Sequence, residues 1–352
     1  MPAKLYNTIF LSFFTVLALI VTFFVFWLDP YVGDLARIGA YMENEYGWNE
    51  PQKKFRTPFY TIGENINDYD QHFDIVTIGD SFSVNHEQSW QNYLALSSNS
   101  SIITFHRRSV SLDGIIKHPY FVNSPPELFI FEVVEHGIQT VLHNFFPPKQ
   151  EEINPTNSIS QINFQEIEYS TFMESYPRNK SSQFSMDTAL HFIKTNIKQR
   201  LGSRTKAYPK LITGKELLFS NANTESALFY HLDNLKLSIS ENEWAVIEQR
   251  FAAAQSIVQD NNKTTFLAMV APDKRTAYRH LIKDEGTTYQ SAIEMMPGKY
   301  KVNWIDTLGG LRHMIDQEVI DVYLPNDIHW GYQGYKSAFI STKKKIQSLS
   351  SK

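Results

Sequence analysis

Residues 73–83 read Phe73-Asp74-Ile75-Val76-Thr77-Ile78-Gly79-Asp80-Ser81-Phe82-Ser83. The first seven form a short run rich in β-branched residues that closes on glycine, the pattern of a strand buried on both faces of a parallel sheet. Comparable runs recur at 101–105, 128–134, 264–270 and 302–305, with helical patterns between several of them. The clearest helix begins at Ser240-Glu241-Asn242-Glu243, a capping box in which serine and glutamate satisfy each other's free amides. Trp244, Ile247, Phe251, Ala254 and Ile257 then share one face, as core packing against a sheet requires. A second helix is expected over 187–200 with Leu190, Ile193 and Ile197 apolar, and a last one after Gly334. Alternating strands and helices predict an α/β fold, a mostly parallel sheet flanked by helices. That domain is expected to fill 73–349, with a polar, serine- and asparagine-rich insertion or lid at 149–186. Residues 29–72 mix aromatic and polar side chains without a sustained period and read as a stalk of little regular structure that packs partly on the domain.

At 352 residues, 42% hydrophobic and 20% charged, the chain can bury a substantial core without help. Its net charge of -4 gives no basic field for nucleic acid, and the absence of cysteine excludes disulfides, thiolate metal sites and cysteine nucleophiles. Residues 9–28 (IFLSFFTVLALIVTFFVFWL) carry no charge, and about 20 apolar residues suffice to cross a bilayer. A buried core helix and a cleavable signal peptide are the alternatives. The run lacks an Ala-x-Ala cleavage pattern, and Trp27 is placed as an interfacial anchor, which favours an uncleaved signal anchor. Lys4 precedes the run while Asp29 and Asp34 follow it, so residues 1–8 are expected in the cytoplasm and the remainder outside it. The expected location is a bacterial inner membrane, single-pass, with the domain in the periplasm or cell exterior.

Ser81 falls in the turn at the carboxyl end of the first predicted strand, where open α/β sheets bind their ligands. Gly79 permits the tight turn, and amides of a following helix can face a developing oxyanion. The plainer reading is that Asp80 and Ser81 only cap a helix. Near the other end, Asn326-Asp327-Ile328-His329-Trp330-Gly331-Tyr332 places an aspartate two residues before a histidine. Asp327 can hold Nδ1–H of His329 while Nε2 takes the Ser81 proton; by itself the pair reads equally as a helix cap and a surface histidine. No metalloprotease, phosphate-loop or dinucleotide pattern is present, and His118, His136 and His143 have no ligand-defining spacing. Neither a metal nor another cofactor is expected.

Gly79-Asp80-Ser81-Phe82 resembles the first block of the SGNH (GDSL) hydrolases, and Asp327-Ile328-His329-Trp330 resembles their last, in a form similar to the alginate-type polysaccharide O-acetyltransferases. Residues 126–136 (PELFIFEVVEH) resemble a strand of those proteins ending Glu-x-x-Glu-Arg, with His136 in place of the arginine. Residues 271–278 (APDKRTAY) resemble their Pro-x-Lys segment. Ser81 precedes the Asp-x-His pair, an order similar to the DltD-type D-alanyl transfer proteins. The resemblance, spanning 70–345, implies an SGNH-like fold and a membrane-anchored O-acyltransferase with Ser81, His329 and Asp327 as catalytic triad. It would move an acyl group, acetyl by the closest analogy, onto a secreted or cell-surface polysaccharide through a serine acyl-enzyme. The donor would come from a multipass membrane acyltransferase partner. Asp80, Phe82, Glu135, Lys274, Tyr278 and Trp330 are expected around the site, with Gly114 and Asn123 as candidates to complete the oxyanion hole. A carbohydrate acetylesterase with the same triad and a non-catalytic polysaccharide-binding or scaffold subunit remain as alternatives.

Overall fold

The computed structural model describes residues 3–27, 32–85, 88–145, 162–178, 186–201, 206–213, 217–231, 239–283, 291–296 and 304–350. At its centre lies a six-stranded sheet of β2 (Thr61–Gly63), β3 (Ile75–Gly79), β4 (Ile102–His106), β5 (Leu128–Val134), β9 (Thr265–Ala271) and β10 (Trp304–Ile305). The spatial order is β10-β9-β5-β3-β4-β2 and every neighbouring pair is parallel. Alternate residues explain why these strands are apolar throughout. Ile75, Ile102, Leu128, Ile130, Leu267 and Met269 enter one core with Tyr93, Leu311 and Tyr335 from the helices Trp90–Ser98, Thr307–Asp316 and Tyr332–Ser350. Val76, Ile78, Ile103, Phe129, Phe131 and Phe266 enter a second core with Leu112, Ile138, Trp244 and Phe251 on the opposite face. A strand sandwiched in this way has no polar face to display.

The helix Glu241–Gln259 carries the capping box expected at Ser240, and Trp244, Ile247, Phe251 and Ala254 are buried. The first helix, Ala3–Trp27, is long and apolar enough to cross a membrane, and none of its most apolar window is buried in the protein.

The stalk expected at 29–72 is corrected for its described part, 32–72. β1 (Gln52–Phe55) pairs antiparallel with β6 (Met173–Tyr176), and β2 forms an edge of the central sheet. Tyr46, Trp48, Phe55, Tyr60 and Tyr69 are buried. These strands have only three or four residues, too short for a period to show in the sequence. β6 shows that the insertion is tied to the domain through residues 173–176; its segments 149–161 and 179–185 lie outside the described residues, as does the Trp27 side chain. A further antiparallel pair, β7 (Ala207–Leu211) with β8 (Ser226–Tyr230), stands apart from the central sheet.

Phe55 is fully buried and packs edge-on to Tyr93 at 4.9 Å. Phe55→Ala is therefore expected to cost about 3–5 kcal/mol in denaturant unfolding. A stalk residue would lose almost nothing, so an unchanged unfolding midpoint would reject the integration of this segment.

Candidate active site

The chain reverses its direction of sheet growth at β3, because β4 adds on one side and β5 on the other. A crevice forms outside the carboxyl end of a strand at such a reversal, and Ser81 sits there, exposed, two residues beyond Gly79. A Cβ on Gly79 would come within 2.6 Å of Glu132 Oε2 and of the Ser83 side chain, so only glycine lets the turn close over them.

Ser81 Oγ lies 2.8 Å from His329 Nε2, and His329 Nδ1 lies 2.7 Å from Asp327 Oδ1. The serine therefore donates to a ring nitrogen whose opposite nitrogen donates to a carboxylate, the tautomer in which His329 can receive a proton from Ser81. Asp327 Oδ1 also accepts from the His329 amide at 3.0 Å, and Oδ2 accepts from the Asp34 amide at 3.0 Å. Burial pushes the Asp327 pKa up, but His329 and these donors outweigh it and hold the carboxyl below its ordinary value. Burial likewise disfavours the His329 imidazolium, yet the charge and hydrogen bond of Asp327, with Asp34 and Asp80, raise its pKa above 6.5.

The loop bearing Asp327 is clamped from three directions. Asn326 O accepts from the amides of Leu35 (2.9 Å) and Ala36 (3.2 Å), at the start of the helix Asp34–Gly39. Asn326 Nδ2 donates to Glu43 Oε2 at 2.7 Å, while Glu43 Oε1 accepts from the amides of Val32 and Gly33 at 2.9 Å each. Lys274 Nζ, buried, donates to the carbonyls of Leu324 (2.7 Å), Pro325 (2.9 Å) and Leu228 (2.9 Å), and lies over the rings of Phe219 and Phe229. Phe82 and Trp330, both buried, pack 4.7 Å apart, and the Phe82 ring lies 5.1 Å from the His329 ring.

Beneath the serine turn, Asp80 Oδ1 accepts from Phe82 N at 3.1 Å and Oδ2 from Val134 N at 2.9 Å. Glu132 Oε2 accepts from Asp80 N (2.9 Å) and Ser83 Oγ (3.0 Å). Complete burial, then the Asp80 charge, pushes the Glu132 pKa far up, against the hydrogen bonds it accepts from Asp80 N and Ser83 Oγ.

Several expectations for the surrounding residues are corrected. Asp80 is an acceptor that braces the turn and occupies the Phe82 amide, so neither supplies an oxyanion donor. Gly114 lies in the helix Leu112–Ile116, where its amide donates to the Ser111 cap. Asn123 ends the helix Pro119–Asn123, just before the chain enters β5, at the opposite edge of the sheet from Ser81. Lys274 does not line the crevice but clasps the Asp327 loop, and Tyr278 is wholly buried against Tyr323 and Phe219. Glu135 is also buried: it accepts from Asp273 N (2.9 Å) and Ser291 Oγ (2.5 Å), and burial with the nearby Asp273 raises its pKa to about 7. Trp330 supports the loop from the core. His118 stacks on Tyr69, whereas His136 Nδ1 pairs with Asp273 Oδ1 at 2.5 Å; the His143 side chain lies outside the described residues.

Sequence reading missed Asp34, Glu43 and Glu132, all distant in the chain from the residues they hold. It also missed Arg107. His106 pairs with Gly79 in the β3–β4 register, and Arg107 N donates to Gly79 O at 2.8 Å. Arg107 thus stands beside the Ser81 turn with a buried Nε that has no hydrogen-bond partner among the described residues. Nor does the Ser81 amide have an acceptor among them, which leaves that amide to meet developing negative charge. Asp34, Asp327 and His329 also bring one ligand atom each within 4.8 Å of one another. An ion there would compete with Asp327 for Nδ1 of His329.

No protein-family model matches the chain, and no curated protein or solved structure matches it significantly. Fold and site together define the class: an α/β protein with a parallel sheet, an apolar N-terminal helix, and a Ser–His–Asp hydrogen-bonded chain at the sheet's carboxyl edge.

A raised His329 pKa leaves the imidazole neutral only at pH values above it. The rate at which a fluorophosphonate labels Ser81 is accordingly expected to fall as pH drops through a midpoint above 6.5, and Asp327→Asn should move that midpoint down. A flat profile would reject His329 as the proton acceptor. A Cβ on Gly33 would come within 2.3 Å of Asn326 O. Gly33→Ala should displace the loop and slow labelling by about 10²-fold, the effect of a misplacement near 1 Å.

Proposed function

We propose that the protein is a membrane-anchored, extracytoplasmic serine acyltransferase of SGNH-hydrolase kind, most simply an O-acetyltransferase acting on a secreted or cell-surface polysaccharide. The observation that carries this reading is the unbroken hydrogen-bonded chain from Ser81 Oγ through His329 to Asp327 at the carboxyl end of β3. Ser81 attacks the acyl carbonyl of the donor while His329 Nε2 takes its proton. The donor's leaving group departs with that proton, leaving an acyl ester on Ser81 Oγ. His329 then takes the proton of a sugar hydroxyl, whose oxygen attacks the ester and regenerates Ser81. The Ser81 amide, with no acceptor among the described residues, would balance the oxyanion in both halves.

The resemblance of 79–82 and 327–330 to SGNH sequence blocks supports the class. The apolar helix Ala3–Trp27 supports anchoring, which would put the site on the side of the membrane that lacks an acetyl-CoA supply; the donor is then handed over by a multipass membrane acyltransferase. Exposure of Ser81 favours one second reading, an esterase in which water replaces the sugar hydroxyl.

Incubating the full chain in detergent with an activated acetyl ester and measuring intact mass tests the proposal. A one-acetyl adduct is expected with the native chain and not with Ser81→Ala. Transfer of the label to an added glycan supports the transferase, whereas release of acetate alone supports the esterase. Failure to form any adduct, with no ester turnover, would reject serine acyl chemistry in favour of a binding or scaffold role.

A further inference from the structure

The helix Met186–Arg200 is amphipathic in an unexpected sense. Phe192 is buried in the domain, but Leu190 and Ile197 are 56% and 52% exposed, and Leu201, one residue beyond the helix, is 78% exposed. With Ile193, half-buried, they recur at the spacing of one helical stripe, and that stripe is opposite the buried Phe192. Lys194 and Lys198 are exposed along its border. An exposed stripe of large apolar side chains flanked by lysines is not explained by packing among the described residues.

The position of this helix indicates what covers it. His191 Nε2 donates to the carbonyl of Arg37 at 2.9 Å, which ties the helix at this point to Asp34–Gly39. That short helix follows closely on the apolar one: the chain from Trp27 to Val32 can extend at most about 18 Å. A span by Ala3–Trp27 therefore keeps Val32 within about 18 Å of the end of that helix, and the helix tied to 34–39 by His191 near the bilayer with it. Helices that lie in the interface bury an apolar face about 5–10 Å deep and keep lysines at the headgroups, and this stripe has that composition and spacing.

We propose that Met186–Arg200 lies in the membrane interface, with Leu190, Ile193, Ile197 and Leu201 in the acyl boundary and Lys194 and Lys198 at lipid phosphates. The inference rests on the first helix spanning the membrane and is independent of acyl chemistry. It makes a second contact with the same bilayer, so the domain is held in one orientation instead of swinging on a tether. Asp34 and Asn326 belong to the same membrane-proximal region, so the Ser81–His329–Asp327 chain is kept close to the lipid surface. Its substrate would arrive along the membrane.

The chain has no cysteine, so single cysteines can be introduced and spin-labelled in the full-length protein. In vesicles of phosphatidylethanolamine and phosphatidylglycerol without other proteins, labels at Leu190→Cys, Ile197→Cys and Leu201→Cys should collide preferentially with oxygen and be shielded from a water-soluble nickel chelate. A label at Glu241→Cys, exposed and remote in sequence, should show the reverse. Leu17→Cys reads the spanning helix separately. If Leu17 lies in lipid while the three stripe positions match Glu241, the interface contact is wrong and a protein partner becomes the better occupant. A Leu17 label in water would sink the span and this inference with it. Ile197→Glu should withdraw the Leu190→Cys label from lipid and leave the melting temperature unchanged. A drop of several degrees would show that the stripe packs inside the protein, which also overturns the proposal.

Discussion

A carboxylate withdrawn from water must be met by donors, and the structure around the site is organised by meeting those of Asp327. Three donors reach it: His329 Nδ1, the His329 amide and the Asp34 amide. An unpaired buried charge costs several kcal/mol, so each donor has to be held in place by something else. The His329 pair gives the imidazole its tautomer and orientation. The Asp34 amide brings in the segment that follows the apolar helix, making that segment part of the site.

The same logic continues outward. Asn326 bonds the helix start at Leu35 and Ala36, Glu43 ties Asn326 to Val32 and Gly33, and Arg178 donates to the Glu43 carbonyl. From the other side Lys274 gathers the carbonyls of Leu324 and Pro325 and, through Leu228, fastens the loop to β8. Phe82, Trp330 and Tyr335 fill the space behind, so the loop cannot settle inward. A loop on the surface of an α/β sheet is ordinarily mobile; this one is fixed by polar contacts to four separate stretches of chain.

Buried acids serve a comparable purpose under the serine. Burial and the Asp80 charge raise the Glu132 pKa, yet Glu132 receives the Asp80 amide and the Ser83 hydroxyl, and so sets the turn from below. Glu135 does the same one turn further along, joining the ends of β5 and β9 to Ser291. These groups stiffen the crevice floor without meeting a substrate, which is how a strand-end serine is held at a fixed height above the sheet.

The sequence by itself determined the elements whose signal is local. Buried strands 75–79, 102–106, 128–134 and 265–271 announce themselves as apolar runs, the helix Glu241–Gln259 by its cap and stripe, and Ser81, Asp327 and His329 by short motifs whose members lie within a few residues. Only the tertiary structure decided where those pieces meet. Lys274 reaches carbonyls 46 to 51 residues away, and Asp34 reaches Asp327 across 293; no periodicity within one segment encodes such a contact. Gly114 and Asn123 have the right residue types for an oxyanion hole, but the winding of the chain places one in a capped helix and the other at the far edge of the sheet. The stripe Leu190, Ile193, Ile197 shows the same limit. Its spacing fixes a helix with an apolar face, and whether that face turns to a core or to a bilayer depends on what the fold has already covered.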